Sequence, residues 1–254
     1  MINLEGKTAL ITGGSSGIGR ACVDVFLEAG IDEIFVLDIC EIDLSIKKVN
    51  LNQKVTFIRC DVSNEQDVVI AIQSVWESVT IINILVNCVG VHPPERHIST
   101  YSATEFNRTL NLNLTSAFLM CHYLESLLSR AENASVINIS SMVGILGQGA
   151  AVDYCASKGG LNGLTRALAI DWASKGIRVN SICPSNVDTP AMQKWANSFK
   201  NPEEALKLAA SVQKPPRLLE AREIANVCIF LASELSSAIT GQNIEVDGGA
   251  SLGY

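Results

Sequence analysis

Seven short runs rich in β-branched and other apolar residues alternate with longer stretches of helical periodicity. The runs cover residues 8–12, 34–38, 55–60, 82–87, 135–140, 178–183 and 243–246. Helical patterns lie between them, at about 17–29, 64–77, 103–130, 152–174 and 221–232. Strands that are apolar throughout are typical of a parallel sheet covered by helices on both faces. Because parallel crossovers are right-handed, this order predicts an α/β, doubly wound Rossmann-type domain with seven parallel strands.

The chain has 254 residues and no linker, repeat or low-complexity segment divides it. We therefore expect one domain over residues 1–254. Residues 188–216 interrupt the alternation, since this stretch is polar and flanked by prolines. We expect it to form a lid over a pocket.

The composition excludes several classes of partner. The net charge is −7 and there is no dense run of lysine and arginine, so nucleic acid and anionic membrane surfaces are not expected partners. Eight cysteines are scattered without zinc or disulfide spacing, which is typical of a reduced compartment. The N-terminus has no signal-peptide pattern and the apolar runs are too short to span a bilayer. We expect a cytoplasmic protein.

A glycine-rich turn follows the first predicted strand and opens the first helix. Its glycines, Gly13, Gly17 and Gly19, would let the backbone approach a pyrophosphate, which the free N–H groups of the helix then bind. Asp38 ends the second strand about 20 residues on, where a carboxylate accepts hydrogen bonds from the ribose hydroxyls of NAD and repels a 2′-phosphate. Ser15 and Ser16 offer no positive charge for that phosphate. The turn therefore predicts NAD as the cofactor.

Tyr154 and Lys158 are four residues apart in a predicted helix, so both side chains lie on one face. An ammonium beside a phenol favours the phenolate and lowers the tyrosine pKa, which makes the phenol a usable acid and base near neutral pH. Taken alone, the pair also fits a half-buried tyrosine under a solvated lysine.

Together, the glycine turn and the Tyr154–Lys158 pair resemble the short-chain dehydrogenase/reductases, and the resemblance covers the whole chain. Four further matches lie in chain order: Asp61, the segment Asn87-Cys88-Val89-Gly90, Asn113, and Ser141 thirteen positions before Tyr154. The segment 184–189 resembles the one that lines the nicotinamide. The resemblance implies Asn113, Ser141, Tyr154 and Lys158 as catalytic residues. It implies these cofactor-binding residues: Gly13, Ser16, Gly17, Ile18, Gly19, Asp38, Asp61, Val62, Asn87, Gly90, Tyr154, Lys158, Val187 and Thr189.

The chain departs from the family pattern at three positions. Cys88 and Val89 replace an asparagine and an alanine, and Ser185 replaces a glycine. None of these changes removes a group that transfers a proton, so we expect them to alter cofactor fit rather than abolish activity.

The resemblance implies hydride transfer between a secondary alcohol carbon and the nicotinamide ring. The reaction interconverts the alcohol and its ketone, or a sugar hydroxyl and its oxidised form. Tyr154 would exchange the hydroxyl proton, Lys158 would stabilise the phenolate and Ser141 would orient the substrate oxygen. Asn113 would hold a water that links Lys158 to solvent. Ser140 competes with Ser141, but only Ser141 has the family's spacing to Tyr154. The histidines have no metal-ligand spacing, and no metal is expected.

The substrate is less constrained by the sequence. His92 and Gln148 are candidate substrate contacts, although each also fits a solvated loop, and Trp195 and Phe199 would cover the substrate or pack within the lid. Several loops resemble a subgroup that includes 17β-hydroxysteroid dehydrogenase type 14 and L-fucose-type sugar dehydrogenases. The alternatives are a 3-oxoacyl-[acyl-carrier-protein] reductase and, from another class, a catalytically silent NAD sensor.

The family resemblance also implies a homotetramer assembled through the helical patterns at 103–130 and 152–174. An apolar row on the second of these either faces a subunit or faces the sheet: Leu161, Leu164, Leu168 and Trp172. Tyr254 would reach the pocket of a neighbouring subunit.

Overall fold

The structure, a computed structural model, describes residues 2–43 and 52–253. The strands are β1 (Thr8–Thr12), β2 (Glu33–Asp38), β3 (Lys54–Arg59), β4 (Ile84–Asn87), β5 (Ser135–Ile139), β6 (Arg178–Pro184), β7 (Val187–Asp188), β8 (Leu219–Glu220) and β9 (Asn243–Val246). Within the described residues, seven of them form a parallel sheet in the order β3-β2-β1-β4-β5-β6-β9. The predicted doubly wound sheet is confirmed, and its strand ends differ from the predicted ones by at most two residues.

The helices are α1 (Gly17–Glu28), α2 (Glu65–Ser78), α3 (Ala103–Leu110), α4 (Ser116–Leu128), α5 (Val143–Leu146), α6 (Val152–Asp171), α7 (Pro190–Ala196), α8 (Pro202–Ser211) and α9 (Ala221–Ala232). They cover both faces of the sheet. Ala9 and Ile11 of β1 pack in one apolar cluster with α1 and α9. Leu10, which lies between them, packs in a second cluster with α2, α4 and the end of α6. Alternate residues of one strand thus serve opposite layers of the core.

The predicted helix at 103–130 is divided into three parts. Between α3 and α4 the backbone makes a π-helical turn at Asn111–Thr115. Asn113 lies within this turn and is buried. Turns of this kind are often found at functional sites because they displace one residue from the regular helical surface. Hydrophobic periodicity does not reveal such a turn, since the apolar pattern continues through it.

The stretch 188–216 contains two short helices rather than an extended loop. Thr189 caps α7 by accepting a hydrogen bond from the Met192 amide at 3.2 Å, and Asn201 caps α8. In both cases a proline opens the helix, where its missing N–H costs nothing. Strand β7, just before α7, pairs with β8, just before α9. This pairing joins the two ends of the stretch to each other.

In the part of the chain that the structure describes, the helices are all too short or too polar to cross a lipid bilayer.

Candidate active site

A cavity of about 440 Å³ opens at the carboxyl ends of the central strands. Its walls come from the segments that follow β4, β5 and β6 and from α6, α7 and α8. This edge is where ligands bind in open α/β sheets, because the strand order reverses there and leaves a crevice. Of the sequence-predicted residues, the cavity brings together nine: Ile18, Gly90, His92, Ser141, Gln148, Tyr154, Lys158, Val187 and Thr189.

The glycine turn between β1 and α1 requires glycine at three points. Gly13 and Gly17 have φ of +68° and +53°, and a Cβ on Gly19 would lie 2.2 Å from the Gly13 carbonyl oxygen. The Ser16 side chain is exposed and makes no capping hydrogen bond to α1. Ser16 therefore does not occupy the first N–H groups of the helix, which fits a pyrophosphate at this end.

Asp38 faces this turn from the end of β2. Its carboxylate accepts the Ser15 and Cys40 amides, each at 3.1 Å. Ionised carboxyl oxygens have further lone pairs, so both remain able to accept from a ribose diol. The acidic group thus stands beside the phosphate turn, at the place where the adenosine end of a dinucleotide would lie.

Two predicted cofactor residues beside α2 have structural roles in the cofactor-free chain. Asp61 accepts the Ser63 amide at 3.0 Å and the Ser63 hydroxyl at 2.7 Å, and so shapes the turn that leads into α2. Val62 is buried in the apolar cluster below that turn.

Asn87 links neighbouring strands inside the sheet. Its side-chain amide donates to Asn138 Oδ1 at 2.8 Å, which joins β4 to β5. Asn138 in turn donates to Thr165 on α6 at 2.9 Å. This buried chain of amides fixes the carboxyl end of β4 against the helix that carries Tyr154.

The three departures from the family pattern are accommodated by local contacts. The Cys88 amide donates to Thr12 Oγ1 at 3.0 Å, and Cys88 lines the cavity. Val89 packs so closely on the glycine turn that a Cβ on Gly13 would lie 3.2 Å from Val89 Cγ2. The Ser185 hydroxyl donates to the Asp247 carbonyl at 2.8 Å, which ties the turn after β6 to the turn after β9.

Tyr154 projects from the first turn of α6 towards Ser141, which follows β5. Burial raises the pKa of Tyr154, and the hydrogen bond with Ser141 partly offsets that rise. The expectation that Lys158 lowers the tyrosine pKa is wrong, because desolvation of the phenolate dominates. Ser140 makes a different contact, since its hydroxyl donates to the Lys158 carbonyl at 3.2 Å.

Lys158 lies at the floor of the cavity and is 4% exposed. Its ammonium donates to the Ile139 carbonyl at 2.8 Å and stands 5.9 Å from the centre of the Tyr154 ring. Burial lowers its pKa to about 8. Gly90 makes room for this ammonium, since a Cβ there would lie 3.1 Å from Lys158 Nζ.

Asn113 connects the segment after β4 to α6. Its side chain accepts the Val91 amide at 2.8 Å, donates to the Val91 carbonyl at 2.9 Å and donates to Ser157 Oγ at 3.0 Å. Asn113 therefore holds the cavity wall beside Lys158 in place through three side-chain hydrogen bonds.

The mouth of the cavity has one polar side and one apolar side. On the polar side, the His92 ring lies 4.3 Å from the Tyr154 ring, and its Nε2 is 3.3 Å from Gln148 Oε1. On the opposite side, Trp195 lines the cavity, while Phe199 packs against Trp195 with 4.8 Å between ring centres and is largely exposed. Thr189 joins this side to the glycine turn, because its methyl group would lie 3.4 Å from a Cβ on Gly17.

Comparisons with known proteins decide the family. Residues 13–251 match the family described as "Enoyl-(Acyl carrier protein) reductase". The L-fucose dehydrogenase of Bos taurus is 35% identical over 251 residues, which cover 98% of this chain and 91% of that protein. The chain is a short-chain dehydrogenase/reductase. It is therefore an oxidoreductase that uses a nicotinamide cofactor and acts on a CH–OH group, and the family resemblance of its motifs is confirmed.

Solved structures of other short-chain dehydrogenase/reductases share this fold along nearly the whole chain. Levodione reductase superimposes with a TM-score of 0.93 at 28% identity, covering 99% of this chain and 100% of that one. The aldohexose dehydrogenase of Thermoplasma acidophilum gives 0.89 at 29% identity, covering 99% and 96%. The fold of this chain thus belongs to a common architecture.

Asp153 is a residue of the site that the sequence reasoning missed. It is buried directly before Tyr154 and accepts the hydroxyls of Thr109 and Tyr101, at 2.7 and 3.0 Å. These contacts fasten the start of α6 to α3 and to the loop before it. The only signal in the sequence is an acidic residue beside the tyrosine, which in isolation is typical of any helix N-terminus.

Proposed function

We propose that this enzyme is an NAD-dependent dehydrogenase that oxidises a secondary alcohol of a neutral, hydroxyl-rich ring, with a sugar as the best-fitting substrate. One observation carries the proposal. Tyr154 and Ser141 line the same cavity as the buried Lys158, and the mouth of that cavity has a polar side at His92 and Gln148. An alcohol oxygen placed on the floor would thus leave neighbouring hydroxyls near the polar side.

NAD would lie along the carboxyl edge of the sheet and accept the hydride from the alcohol carbon. Gly13, Gly17 and Gly19 would hold its pyrophosphate, and Asp38 would accept its ribose hydroxyls. Two features support NAD over NADP: Asp38 presents a negative charge beside the turn, and neutral serines occupy positions 15 and 16. Asp61 would contact the adenine. The other residues that would border the cofactor are uncharged: Val62, Asn87, Val187 and Thr189.

Proton handling is assigned to four side chains. Ser141 donates to the substrate oxygen and orients it beside the Tyr154 hydroxyl. Tyr154 takes the alcohol proton during oxidation and returns one during reduction. The buried Lys158 ammonium supplies the positive charge that stabilises the phenolate, and Asn113 holds the route by which the proton leaves towards solvent.

The two sides of the cavity mouth support a sugar ring as substrate. A pyranose has hydroxyls along its edge and C–H groups on its faces, so the edge suits His92 and Gln148 and one face suits the indole of Trp195. Two similar proteins are dehydrogenases of such rings, one of L-fucose and one of aldohexoses. A steroid alcohol offers fewer hydroxyls to the polar side and is the less suitable ring.

The charge at the cavity mouth argues against a 3-oxoacyl-[acyl-carrier-protein] reductase, although the matched family is described as an acyl carrier protein reductase. Substrates on that carrier arrive on an anionic phosphopantetheine arm. Lys158 is the one lysine or arginine among the described residues that line the cavity, and it is buried at the floor. The rim instead presents the carboxylate of Glu95. A catalytically silent sensor is disfavoured because Ser141, Tyr154 and Lys158 are assembled in one cavity.

A substrate panel tests the proposal. Purified enzyme is incubated with aldoses, polyols, steroid alcohols and secondary alcohols, with NAD and NADP separately, and reduced cofactor is followed at 340 nm. We expect aldose oxidation with NAD, and Tyr154→Phe abolishes it. Turnover confined to 3-oxoacyl thioesters with NADPH would overturn the proposal. Oxidation of none of the alcohols, while NAD still binds in calorimetry, would favour the silent sensor.

The proposal includes a cytoplasmic homotetramer. On the outer surface, Phe118 of α4 is 48% exposed and Ile170 of α6 is 76% exposed, which leaves apolar groups for a neighbouring subunit. Leu161 and Trp172 are buried instead, so those two members of the apolar row on α6 pack inward. Tyr254 lies outside the described residues. Light scattering coupled to size-exclusion chromatography measures the number of subunits.

A further inference from the structure

Glu95 is joined to Tyr154 across the cavity rim by two polar contacts and one ring contact. Its carboxylate accepts the Gln148 side-chain amide at 2.7 Å. The carbonyl end of that amide, Gln148 Oε1, lies 3.3 Å from His92 Nε2, and the His92 ring lies 4.3 Å from the ring of Tyr154. The backbone reinforces this bridge between the two loops, since the Arg96 amide donates to the Ala150 carbonyl at 2.8 Å.

The contact with Glu95 decides which end of the Gln148 amide faces the cavity. An ionised carboxylate only accepts hydrogen bonds, so the NH₂ end of Gln148 must point to Glu95 and the carbonyl end to His92. Without the carboxylate, the amide is free to turn over and present either end. Glu95 thus fixes the hydrogen-bonding character of the polar side of the mouth.

Glu95 also determines the charge of that mouth. Glu95 is the one residue with a carboxylate among the described residues that line the cavity. Lys158, the opposite charge, lies at the floor and is engaged by the Ile139 carbonyl. A substrate approaching the rim therefore meets a negative charge before it meets a positive one, which disfavours anionic substrates.

We propose that Glu95 is a specificity-determining residue that selects uncharged polyhydroxylated substrates over their carboxylate-bearing analogues. It does so by repelling a second carboxylate and by holding Gln148 in the orientation that serves a neutral hydroxyl. The inference rests on the proposed function, because it names what the same cavity accepts and rejects.

Matched sugar pairs test the proposal: D-glucose, D-galactose and D-mannose, each with its uronate. In each pair a neutral CH₂OH group is replaced by a carboxylate at the same carbon. For the wild type, kcat/KM is expected to be higher for the aldose. Glu95→Gln raises the uronate-to-aldose ratio about threefold to tenfold, as expected for two unit charges about 6 to 8 Å apart in a largely solvated setting. Glu132→Gln, which removes the same charge in the turn before β5, leaves the ratio unchanged.

Two further readouts separate a charge effect from a structural one. Raising NaCl from 20 mM to 500 mM raises the uronate-to-aldose ratio of the wild type, because salt screens the carboxylate pair, but leaves that of Glu95→Gln flat. Glu95→Ala also releases Gln148, so KM for the aldose rises about fivefold while kcat stays within about twofold.

The outcomes distinguish this inference from the proposed function. If the wild type oxidises an aldose and Glu95→Gln leaves the uronate-to-aldose ratio unchanged, the role of Glu95 is overturned and the proposed function stands. If the wild type oxidises none of the aldoses, the proposed function fails and the inference fails with it.

Discussion

The ammonium of Lys158 lies 5.9 Å from the centre of the Tyr154 ring and donates to the Ile139 carbonyl rather than to the phenol. The two residues share a face of α6, yet it is Ser141 that lowers the tyrosine pKa, against the larger effect of burial. Serine and lysine are thus placed differently: Ser141 acts on the phenol, whereas the Lys158 ammonium is held by the backbone. Replacing either has a different signature from replacing Tyr154 itself.

Tyr154→Phe removes only the hydroxyl that exchanges the proton. We expect kcat to fall by about three orders of magnitude or more, within the range for loss of a positioned acid and base, while NAD affinity stays within about threefold. Stopped-flow or steady-state absorbance measures the first, and calorimetry measures the second. Tyr123→Phe is the control, because its hydroxyl contacts Glu65 on the surface at 2.7 Å. A variant of Tyr154 with near-normal kcat would contradict the assignment.

Lys158→Met is expected to stabilise the cofactor-free protein while abolishing turnover. Burial lowers the lysine pKa to about 8. Below that pH the folded protein carries the buried charge, and this lowers its stability. Between pH 8 and the unfolded pKa near 10.5 the unfolded chain binds more protons, and wild-type stability therefore rises with pH in that window. Lys158→Met lacks this penalty, and we expect its free energy of unfolding to exceed the wild type's by about 1 to 3 kcal/mol at pH 7.

Urea unfolding at pH 7 and pH 9.5 measures this difference. The gap between Lys158→Met and the wild type should narrow at the higher pH, because the wild-type lysine is then neutral. A variant that is less stable than the wild type at both values would show that the hydrogen bond to Ile139 outweighs the cost of burying the charge.

The fold was largely predictable because the central strands are buried on both faces. Continuous apolar runs such as β1 and β5 have no other stable place than the middle of a covered sheet, so their ends were found within two residues. The π-helical turn at Asn111–Thr115 was not predictable, since it changes the backbone without changing the apolar pattern. The helices within 188–216 were hidden because both are short and only partly buried.

The site was predictable where spacing along one element sets the geometry, as for Tyr154 and Lys158 on α6. It was not predictable where distant segments meet. Nothing in the sequence joins Glu95 to Gln148, or Asp153 to Thr109, because these contacts depend on loop paths. The predicted direction of the Tyr154 pKa shift was wrong for the same reason, since the extent of burial depends on the packed structure.

Asp38→Asn tests the basis of cofactor choice. The amide keeps an acceptor for the Ser15 or Cys40 N–H but removes the negative charge beside the phosphate turn. We expect kcat/KM with NADP to rise about tenfold and kcat/KM with NAD to fall a few-fold, because repulsion of the 2′-phosphate is lost. Steady-state kinetics with both cofactors gives the ratio. Asp171→Asn, at the far end of α6, is the matched control, and an unchanged ratio in Asp38→Asn would count against the role of Asp38.

Asp153→Ala tests whether the buried carboxylate before Tyr154 positions the catalytic helix. Its removal leaves the hydroxyls of Thr109 and Tyr101 without their acceptor, so we expect the free energy of unfolding to fall by about 2 to 4 kcal/mol. The start of α6 also loses its attachment to α3, and we expect kcat to fall about tenfold or more as Tyr154 shifts relative to Ser141. Asp153→Asn, which keeps one acceptor, should recover part of both losses. Thermal unfolding and kcat are compared with Asp171→Ala at the other end of the helix. If kcat stays normal in Asp153→Ala despite the lower stability, the network holds the fold together without positioning Tyr154.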